Sequence, residues 1–453
     1  MLLQFAAENY RSISSETVLN LAPAKSRIHT DHVLISDEAG RSVKSLPLAV
    51  LYGANASGKS NLIRALSTAR QIVISPKRGG SAVPVTPFLL DPATTTKPSR
   101  FEFVLKHEGV LYTYGFSATS EEIIEEWLFA VFDRKEVKVY ERVSQDGAIL
   151  VEPGRKLAPT QRERERVSFI AEGLQPNQLF LTEAAERNIE LLMPLIWWFR
   201  HSLEIISPRA AYQLLLARAF EDKSFSSFLQ RFLQAADTGI EGLHVEVADE
   251  DGDEILSKQP DSVAKRLRER LERRDTVLIR VGGRMLGLRR LEDGSIETLA
   301  LSFSHRTSDG SLVRFDPEQE SDGTNRMMHL APALLNLEQT QSVYVIDELD
   351  RSLHPSLCRA FVRAFLQGIT ERGCSGQLIV TTHDTGLLDL ELLRRDEIWF
   401  VEKDREGASH LSSLAEFNVR SDLRIDKGYI NGRFGAIPFV GDMARLFPEG
   451  GCD

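Results

Sequence analysis

Three cysteines in 453 residues, Cys358, Cys374 and Cys452, stand far apart and in no CxxC pair. That leaves no disulfide framework and no cysteine-built zinc site, and it fits a reducing compartment. Long apolar runs are also missing. The longest, Leu191–Phe199, is interrupted by Pro194, whereas a bilayer span needs ~20 residues. It reads as a buried helix segment with Trp197 and Trp198 in the core. The opening Met1–Tyr10 carries Glu8 and Asn9, which is not the pattern of a signal peptide. The expected compartment is therefore the cytoplasm, with no membrane association. Positive charge is not in excess: Lys+Arg is 55 against 65 Asp+Glu, a net charge of −10. Such a chain is not built to coat nucleic acid over its whole surface, although a local basic face stays open. The length suggests about two to three domains.

What is present begins with Leu48–Tyr52, a short apolar run that leads into Gly53-Ala54-Asn55-Ala56-Ser57-Gly58-Lys59-Ser60. Gly-x-x-x-x-Gly-Lys-Ser after a strand and before a helix is a phosphate-binding loop. Gly53 and Gly58 let the backbone N–H groups turn into one concavity that suits an anion. Lys59 reaches the β- and γ-phosphates as a point charge, and the Ser60 hydroxyl is a Mg²⁺ ligand. Leu62, Ala65, Leu66, Ala69 and Val73 recur at helical spacing after Ser60, so a helix N-terminus points its partial positive charge at the phosphates.

Short strands are expected across Met1–Ile13, Val18–Leu21 and Leu34–Ile35. Arg11 either reaches a bound phosphate or is a surface arginine of a hairpin. Lys77–Pro87 is a loop by composition. Phe101–Leu105, Val110–Phe116 and Glu136–Arg142 alternate like antiparallel strands, with Asp146-Gly147 as a hairpin turn. From Lys156 to about residue 240 the pattern is mostly helical. Strand signals return at Gly242–Val247 and Thr276–Val281. Between them, Asp261–Asp275 is a helix with a narrow seam at Val263, Leu267 and Leu271. Its other faces carry Lys265, Arg266, Arg268, Arg270, Arg273 and Arg274. A nucleic-acid contact is one reading. A solvated face balanced by Glu269 and Glu272 is the preferred one, because charge runs usually are solvated faces.

Val343–Ile346 is four apolar residues followed by Asp347-Glu348. A buried strand ending in two acids complements a phosphate loop: Asp347 for Mg²⁺, Glu348 as general base for the attacking water. Gln377–Thr382 is a second such strand, ending in His383. Two strands ending at one sheet edge bring His383 near Glu348, where it would sense the γ-phosphate. Glu397–Glu402 is one more strand.

The order of these motifs resembles the ABC-type ATPases, with Lys59 and Asp347 288 residues apart. Asn9-Tyr10-Arg11-Ser12 and Asn55-x-Ser57-Gly58-Lys59-Ser60-Asn61-Leu62 are similar to heads of the SMC/Rad50/OLD branch. More narrowly, the chain resembles the compact AAA-15 family. That likeness rests on Pro87–Asp91, Asp347-Glu348-Leu349-Asp350-x-x-Leu353-His354-Pro355, Thr382–Thr385 and the tail Tyr429–Pro438. The resemblance implies a fold, α/β, that is an ABC-type P-loop NTPase head with a mixed sheet flanked by helices and an inserted helical and β lobe. It implies ATP and Mg²⁺ as ligands. Its phosphate-loop set comprises Gly53, Ala54, Asn55, Ala56, Ser57, Gly58, Lys59, Ser60 and Asn61, with Arg11 beside it.

Glu320–Thr324 stands where that family carries its signature loop, with Ser321 and Gly323 in the serine and glycine places. The resemblance implies that they contact the γ-phosphate held by a second subunit, and that Asp350 lies on the loop crossing the dimer seam. A plain helix cap would look the same in sequence. Three features depart from the pattern. There is no glutamine between Gln71 and Gln145 to link Mg²⁺ to the attacking water. There is no long heptad coiled coil or CxxC hook. Only 70 residues follow His383, too few for an OLD nuclease domain.

The expected organisation is a first head segment at 1–145, an inserted lobe at 146–300, a second head segment at 301–420 and a tail at 421–453. The expected function is an ATPase that closes a homodimer or higher homo-oligomer around ATP. It would control a protein effector encoded nearby, in phage defence or a DNA-linked process. The alternative is an ATP-gated DNA- or RNA-binding repair module without an effector, using the Lys265–Arg274 helix.

Overall fold

The computed structural model describes residues 1–36, 42–75, 80–132, 134–145, 147–208, 215–272, 276–338, 341–417 and 425–436. Asp146, Arg273, Arg274, the tail residues Ile437 and Pro438, and most of the expected 421–453 segment lie outside the described residues. The chain divides into two compact units. One comprises residues 1–205, 340–349 and 366–453; the other comprises 206–339 and 350–365.

In the first unit, all five residues of Leu48–Tyr52 are buried, as a strand covered on both faces requires. Leu48–Tyr52 lies between two parallel neighbours, Gln377–Thr381 and Ile398–Lys403. The full sheet runs Leu203–Ile206, Val343–Ile346, Gln377–Thr381, Leu48–Tyr52, Ile398–Lys403, Ser409–Ser413. Val343–Ile346, Gln377–Thr381, Leu48–Tyr52 and Ile398–Lys403 run parallel, and Ser409–Ser413 is antiparallel to Ile398–Lys403. The Lys59–Ile74 helix buries Leu62, Ile63, Leu66, Ala69, Ile72 and Val73.

The same unit holds a seven-stranded sheet in the order Ala148–Pro153, Lys135–Gln145, Ile123–Phe132, Val110–Ala118, Ser99–His107, Leu2–Glu8, Thr17–Asn20. Period-two alternation places Phe101, Phe103 and Leu105 in the core while Arg100, Glu102 and Val104 take the other face. Phe103 packs edge-on against Phe199 with ring centroids 5.0 Å apart.

The second unit carries its own antiparallel sheet, in the order Ile240–Val247, Ile296–Arg306, Arg284–Arg290, Val277–Val281. Leu312–Phe315 also pairs with the Ile296–Arg306 strand. In the Lys223–Ala235 helix, Phe225, Leu229 and Leu233 recur every four residues and are fully buried, and Asp222 caps it.

The architecture is the expected α/β P-loop head with an added helical and β lobe. The lobe's bounds differ from 146–300. Helices Gln161–Glu172 and Phe180–Glu186 bury Val167, Ile170, Phe180 and Leu181 in the first unit's core, so the second unit starts only at Ile206. Leu203–Ile206, inside the stretch expected to be helical, is an edge strand. Trp198 is buried, but Trp197 is 47% exposed. Consecutive helical residues point about 100° apart, so one tryptophan enters the core while the other stacks on the His107 ring at 5.4 Å. In the basic helix, now Asp261–Glu272, the seam is narrower than expected: Leu271 is buried and Val263 is exposed. The strands Ile123–Phe132, Ala148–Pro153, Arg284–Arg290 and Ile296–Arg306 were not expected. No helix among the described residues is long and apolar enough to cross a membrane.

Candidate nucleotide site

The Leu48–Tyr52 strand ends at Gly53, and the Lys59–Ile74 helix begins six residues later, with Gly58 at its N-cap position. Gly58 has φ of 113°, in the left-handed region that glycine alone enters at no cost. A Cβ there would collide with the Ser409 hydroxyl and sit 2.9 Å from Ser12 Oγ. At Gly53 a Cβ would run into the Val401 carbonyl oxygen and lie 2.6 Å from Ser57 Oγ. Close approach thus demands glycine at both positions, and at Gly58 the backbone conformation demands it too. Ala56, with φ of 64°, adds a second left-handed residue, and Asn55 and Ala56 are exposed at the loop tip. Ala54 is half-buried.

Lys59 is buried and donates from Nζ to the carbonyl oxygens of Gly53 at 2.6 Å and Ala54 at 3.0 Å. The ammonium therefore lies folded back over the loop it belongs to. Ser57 Oγ is buried with no hydrogen-bond partner. Asn61 donates from Nδ2 to Ser12 Oγ at 2.8 Å, the hydroxyl that also lies beside Gly58.

Ser60 Oγ donates to Asp347 Oδ1 at 3.1 Å. The same carboxylate oxygen accepts from Thr381 Oγ1 at 2.6 Å, and Thr381 Oγ1 accepts the Glu348 N–H at 2.7 Å. One threonine on the neighbouring strand thus ties both acids to the sheet. The pairing puts Ile346 opposite Val380, so Asp347-Glu348 and Thr381–His383 leave the sheet at one end. Glu348 has φ of 51°, costly for a non-glycine residue by about 1–2 kcal/mol. Strain of that kind is kept where surrounding structure imposes it, and functional sites are where it clusters. His383 is exposed, next to buried Thr382, whose N–H donates to Leu51 O at 3.1 Å.

Arg11 sits in a tight turn, φ of 52°, with its Nε donating to the Tyr10 hydroxyl at 3.2 Å. The Tyr10 hydroxyl is 2.8 Å from Thr68 Oγ1. Asn9 organises the adjacent Phe88–Pro98 segment: its Oδ1 accepts from Phe88 N at 3.0 Å, and its Nδ2 donates to Thr94 O and Lys97 O, both at 2.9 Å. That segment exposes Leu89 and Leu90 and contains no glutamine.

Two participants were not singled out from sequence. Thr381 was seen only as flanking His383. Ser409 carried no signal at all. Its hydroxyl lies 2.7 Å from Ser57 O and 2.8 Å from Ser12 Oγ, bracing the loop from a distant strand.

The donor set fits a magnesium nucleotide. The Ser60–Asp347 oxygen separation of 3.1 Å approaches the ~2.9 Å edge of an octahedron with 2.0–2.1 Å metal–oxygen bonds. The loop offers a left-handed Gly58, an ammonium folded over its first carbonyl groups and a buried serine hydroxyl without a partner.

In the second unit, Ser321 is the N-cap of the Asp322–Leu335 helix, its Oγ accepting from Thr324 N at 3.0 Å. A Cβ on Gly323 would approach Ser352 O to 2.7 Å. Asp350 is half-buried, its carbonyl accepting from Leu353 N at 3.2 Å.

No curated protein matches the chain. Two solved structures align along most of it. The SMC head domain from Thermotoga maritima is 14% identical at a TM-score of 0.35, covering 91% of this chain and 98% of that one. The SmcHead bound to the C-winged helix domain of ScpA is 12% identical at a TM-score of 0.36, covering 91% and 97%. A family-level match spans residues 48–389, from the strand before the phosphate loop to just beyond His383. Its description is "AAA domain, putative AbiEii toxin, Type IV TA system"; the AAA-15 name expected from the motifs is not the one it carries. The chain belongs to that AAA-domain family.

Proposed function

We propose that this protein binds ATP with Mg²⁺ and hydrolyses it, and that ATP closes a homo-oligomer which governs a partner effector. The observation that carries the reading is the hydrogen-bonded series Ser60–Asp347–Thr381–Glu348, which joins the end of the phosphate loop to both acids. Lys59 and the loop N–H groups would hold the phosphates, with Arg11 beside them. Ser60 and Asp347 would hold Mg²⁺, which supplies charge neutralisation at the phosphates. Glu348 would take the proton of the attacking water, and His383 would hydrogen-bond the γ-phosphate. Ser321, Gly323 and Asp350 would serve the nucleotide of a second subunit. The family description, with its toxin and type IV toxin–antitoxin wording, supports an effector relationship and a role in defence. In the rival nucleic-acid reading the Asp261–Glu272 helix makes the contact. Arg268 on that helix already pairs with Asp253 at 3.3 Å, which favours a solvated, self-balanced face.

The test is ATP turnover and solution mass, with and without ATP, for the wild type and Glu348→Gln. The reading requires that the variant bind ATP, lose turnover and accumulate as the larger species. Unchanged turnover would remove Glu348 as the base, and unchanged mass in both proteins would remove ATP-driven closure.

A further inference from the structure

Within the first unit, between the Thr17–Asn20 and Leu34–Ser36 strands, the chain reads His29-Thr30-Asp31-His32. One potential ligand atom from each of His29, Asp31 and His32 lies within 4.8 Å of the other two. The two imidazoles are held in complementary ways. His29 Nε2 is 2.8 Å from Leu390 O, a carbonyl that can only accept, so Nε2 carries the proton and Nδ1 keeps its lone pair. His32 Nδ1 lies 3.2 and 3.3 Å from the two carboxylate oxygens of Glu397, which likewise leaves the Nε2 lone pair.

Glu397 is fully buried, and its Oε2 also accepts the Arg394 N–H at 2.7 Å. A buried carboxylate orienting one nitrogen of a histidine is the outer half of a carboxylate–histidine–metal arrangement. His29 is also held at φ of 48°, in the left-handed region, and its ring stacks on His32 with centroids 4.7 Å apart.

We propose that His29, Asp31 and His32 bind a divalent transition metal of the zinc class, with Glu397 as the buried group that orients His32. Two imidazole nitrogens and one carboxylate oxygen are three of the four ligands of a tetrahedral zinc site, and the fourth position is left for water. Ligand atoms around such an ion stand ~3.4 Å apart, given metal–nitrogen bonds near 2.1 Å. The present spacing, within 4.8 Å, would have to tighten to that value on binding. Carboxylates gather at this turn. Asp31, Asp396 and Glu397 all act on the Arg394 guanidinium. That guanidinium is engaged by Asp396 at 2.7 Å and by the carbonyl oxygens of Ala24 and His29.

The metal would stiffen the turn that holds it. Just before that turn, Ala24–Ile28 line a cavity of about 930 Å³ together with Thr385, Gly386 and Leu388–Glu391, the segment just past His383. The turn meets that segment through His29 Nε2, whose hydrogen bond to the Leu390 carbonyl oxygen the bound ion would hold in place.

The test uses the full chain, stripped with a chelator and titrated with Zn²⁺ by calorimetry, without nucleotide and with Mg²⁺ in excess to occupy the phosphate-loop acids. The expected result is one equivalent of zinc for the wild type, with zinc also raising the melting temperature. Asp31→Asn and His29→Gln, at positions accessible to solvent, should each abolish the tight equivalent while keeping the metal-free melting curve. Glu397→Gln should weaken zinc by ~10–100-fold, as loss of a metal-orienting carboxylate does. A wild type that takes up no tight zinc would overturn the site. So would one whose zinc uptake is unchanged in Asp31→Asn and His29→Gln.

Discussion

The phosphate loop and the Ser321 segment both set a serine and a glycine at the start of a helix, yet they are held by different means. Around Gly58 the space a side chain would need is taken by Ser12 and Ser409, from opposite ends of the chain. Ser60 reaches Asp347, and Thr381 links that acid to Glu348. At Ser321 the partner of the hydroxyl is Thr324 of the same helical turn. Ordering groups far apart in sequence costs conformational entropy that local capping does not. A polar network assembled from five separate segments is therefore a costly arrangement that specifies one geometry, while a serine cap forms on any helix. The first region speaks for a function by its construction. The second is equally consistent with a cap and with a contact to a partner's nucleotide.

The largest effect expected in the first region is that of Glu348→Gln. A positioned general base contributes ~10²–10⁴-fold to rate, so turnover should fall by that factor while ATP affinity stays within a fewfold. Single-turnover kinetics with a separate binding assay read both quantities. Equal losses in binding and rate would mean that Glu348 supports the loop and does not act on water. Gly58→Ala should come next. Left-handed backbone costs an alanine about 1–2 kcal/mol, and the added methyl must also displace Ser12 or Ser409. ATP binding should weaken at least tenfold, measured with a fluorescent analogue. A variant that binds normally would show the loop to be less constrained than its packing indicates.

Ser409→Ala is a finer cut at the same region. Its hydroxyl contributes hydrogen bonds worth about 0.5–1.5 kcal/mol net, so ATP affinity should fall by roughly threefold to tenfold. A fall in melting temperature with unchanged affinity would demote Ser409 from positioning the loop to packing alone.

These three residues also mark how far the sequence could be read. Gly58 and Glu348 follow from local pattern: a glycine turn after a buried strand, and an acid pair ending one. The parallel core was legible for the same reason, because four short apolar runs bounded by polar residues have few other uses. Ser409 was not legible. It is one of many serines, and only the pairing of Ser409–Ser413 with Ile398–Lys403, itself beside Leu48–Tyr52, carries it to the loop. The lobe boundary was missed because the Gln161–Glu172 helix shows a charged face in sequence. Its few apolar residues, Val167, Ile170 and Ala171, give no hint of which sheet they cover. Trp197 was misplaced because an apolar run does not reveal which helical face meets solvent.

The second region has a pH signature of its own. His329, on the helix that Ser321 caps, is held down to about 4 by burial and then by the Arg326 charge. In the unfolded chain it titrates near 6.5. Between those values the unfolded state binds the extra proton, so stability is complete above the upper value and is lost as pH falls toward the lower. Urea unfolding at pH 7 and pH 5 should show a decline that His329→Gln reduces. An identical decline in the variant would assign it to other groups.

The smallest expected change, and the one that decides between the two readings of this region, is at Ser321. Removing an N-cap serine costs about 0.5–2 kcal/mol, so Ser321→Ala should lower the melting temperature by a few degrees whichever reading holds. That variant alone separates nothing. Ser321→Asp does, because aspartate caps a helix as well as serine and favours its N-terminus electrostatically. If Ser321 is only a cap, Ser321→Asp keeps both the melting temperature and ATP turnover. If Ser321 meets a second subunit's γ-phosphate, the new carboxylate keeps the fold but repels the phosphate. Turnover and ATP-driven closure then fall together while the melting curve stays in place.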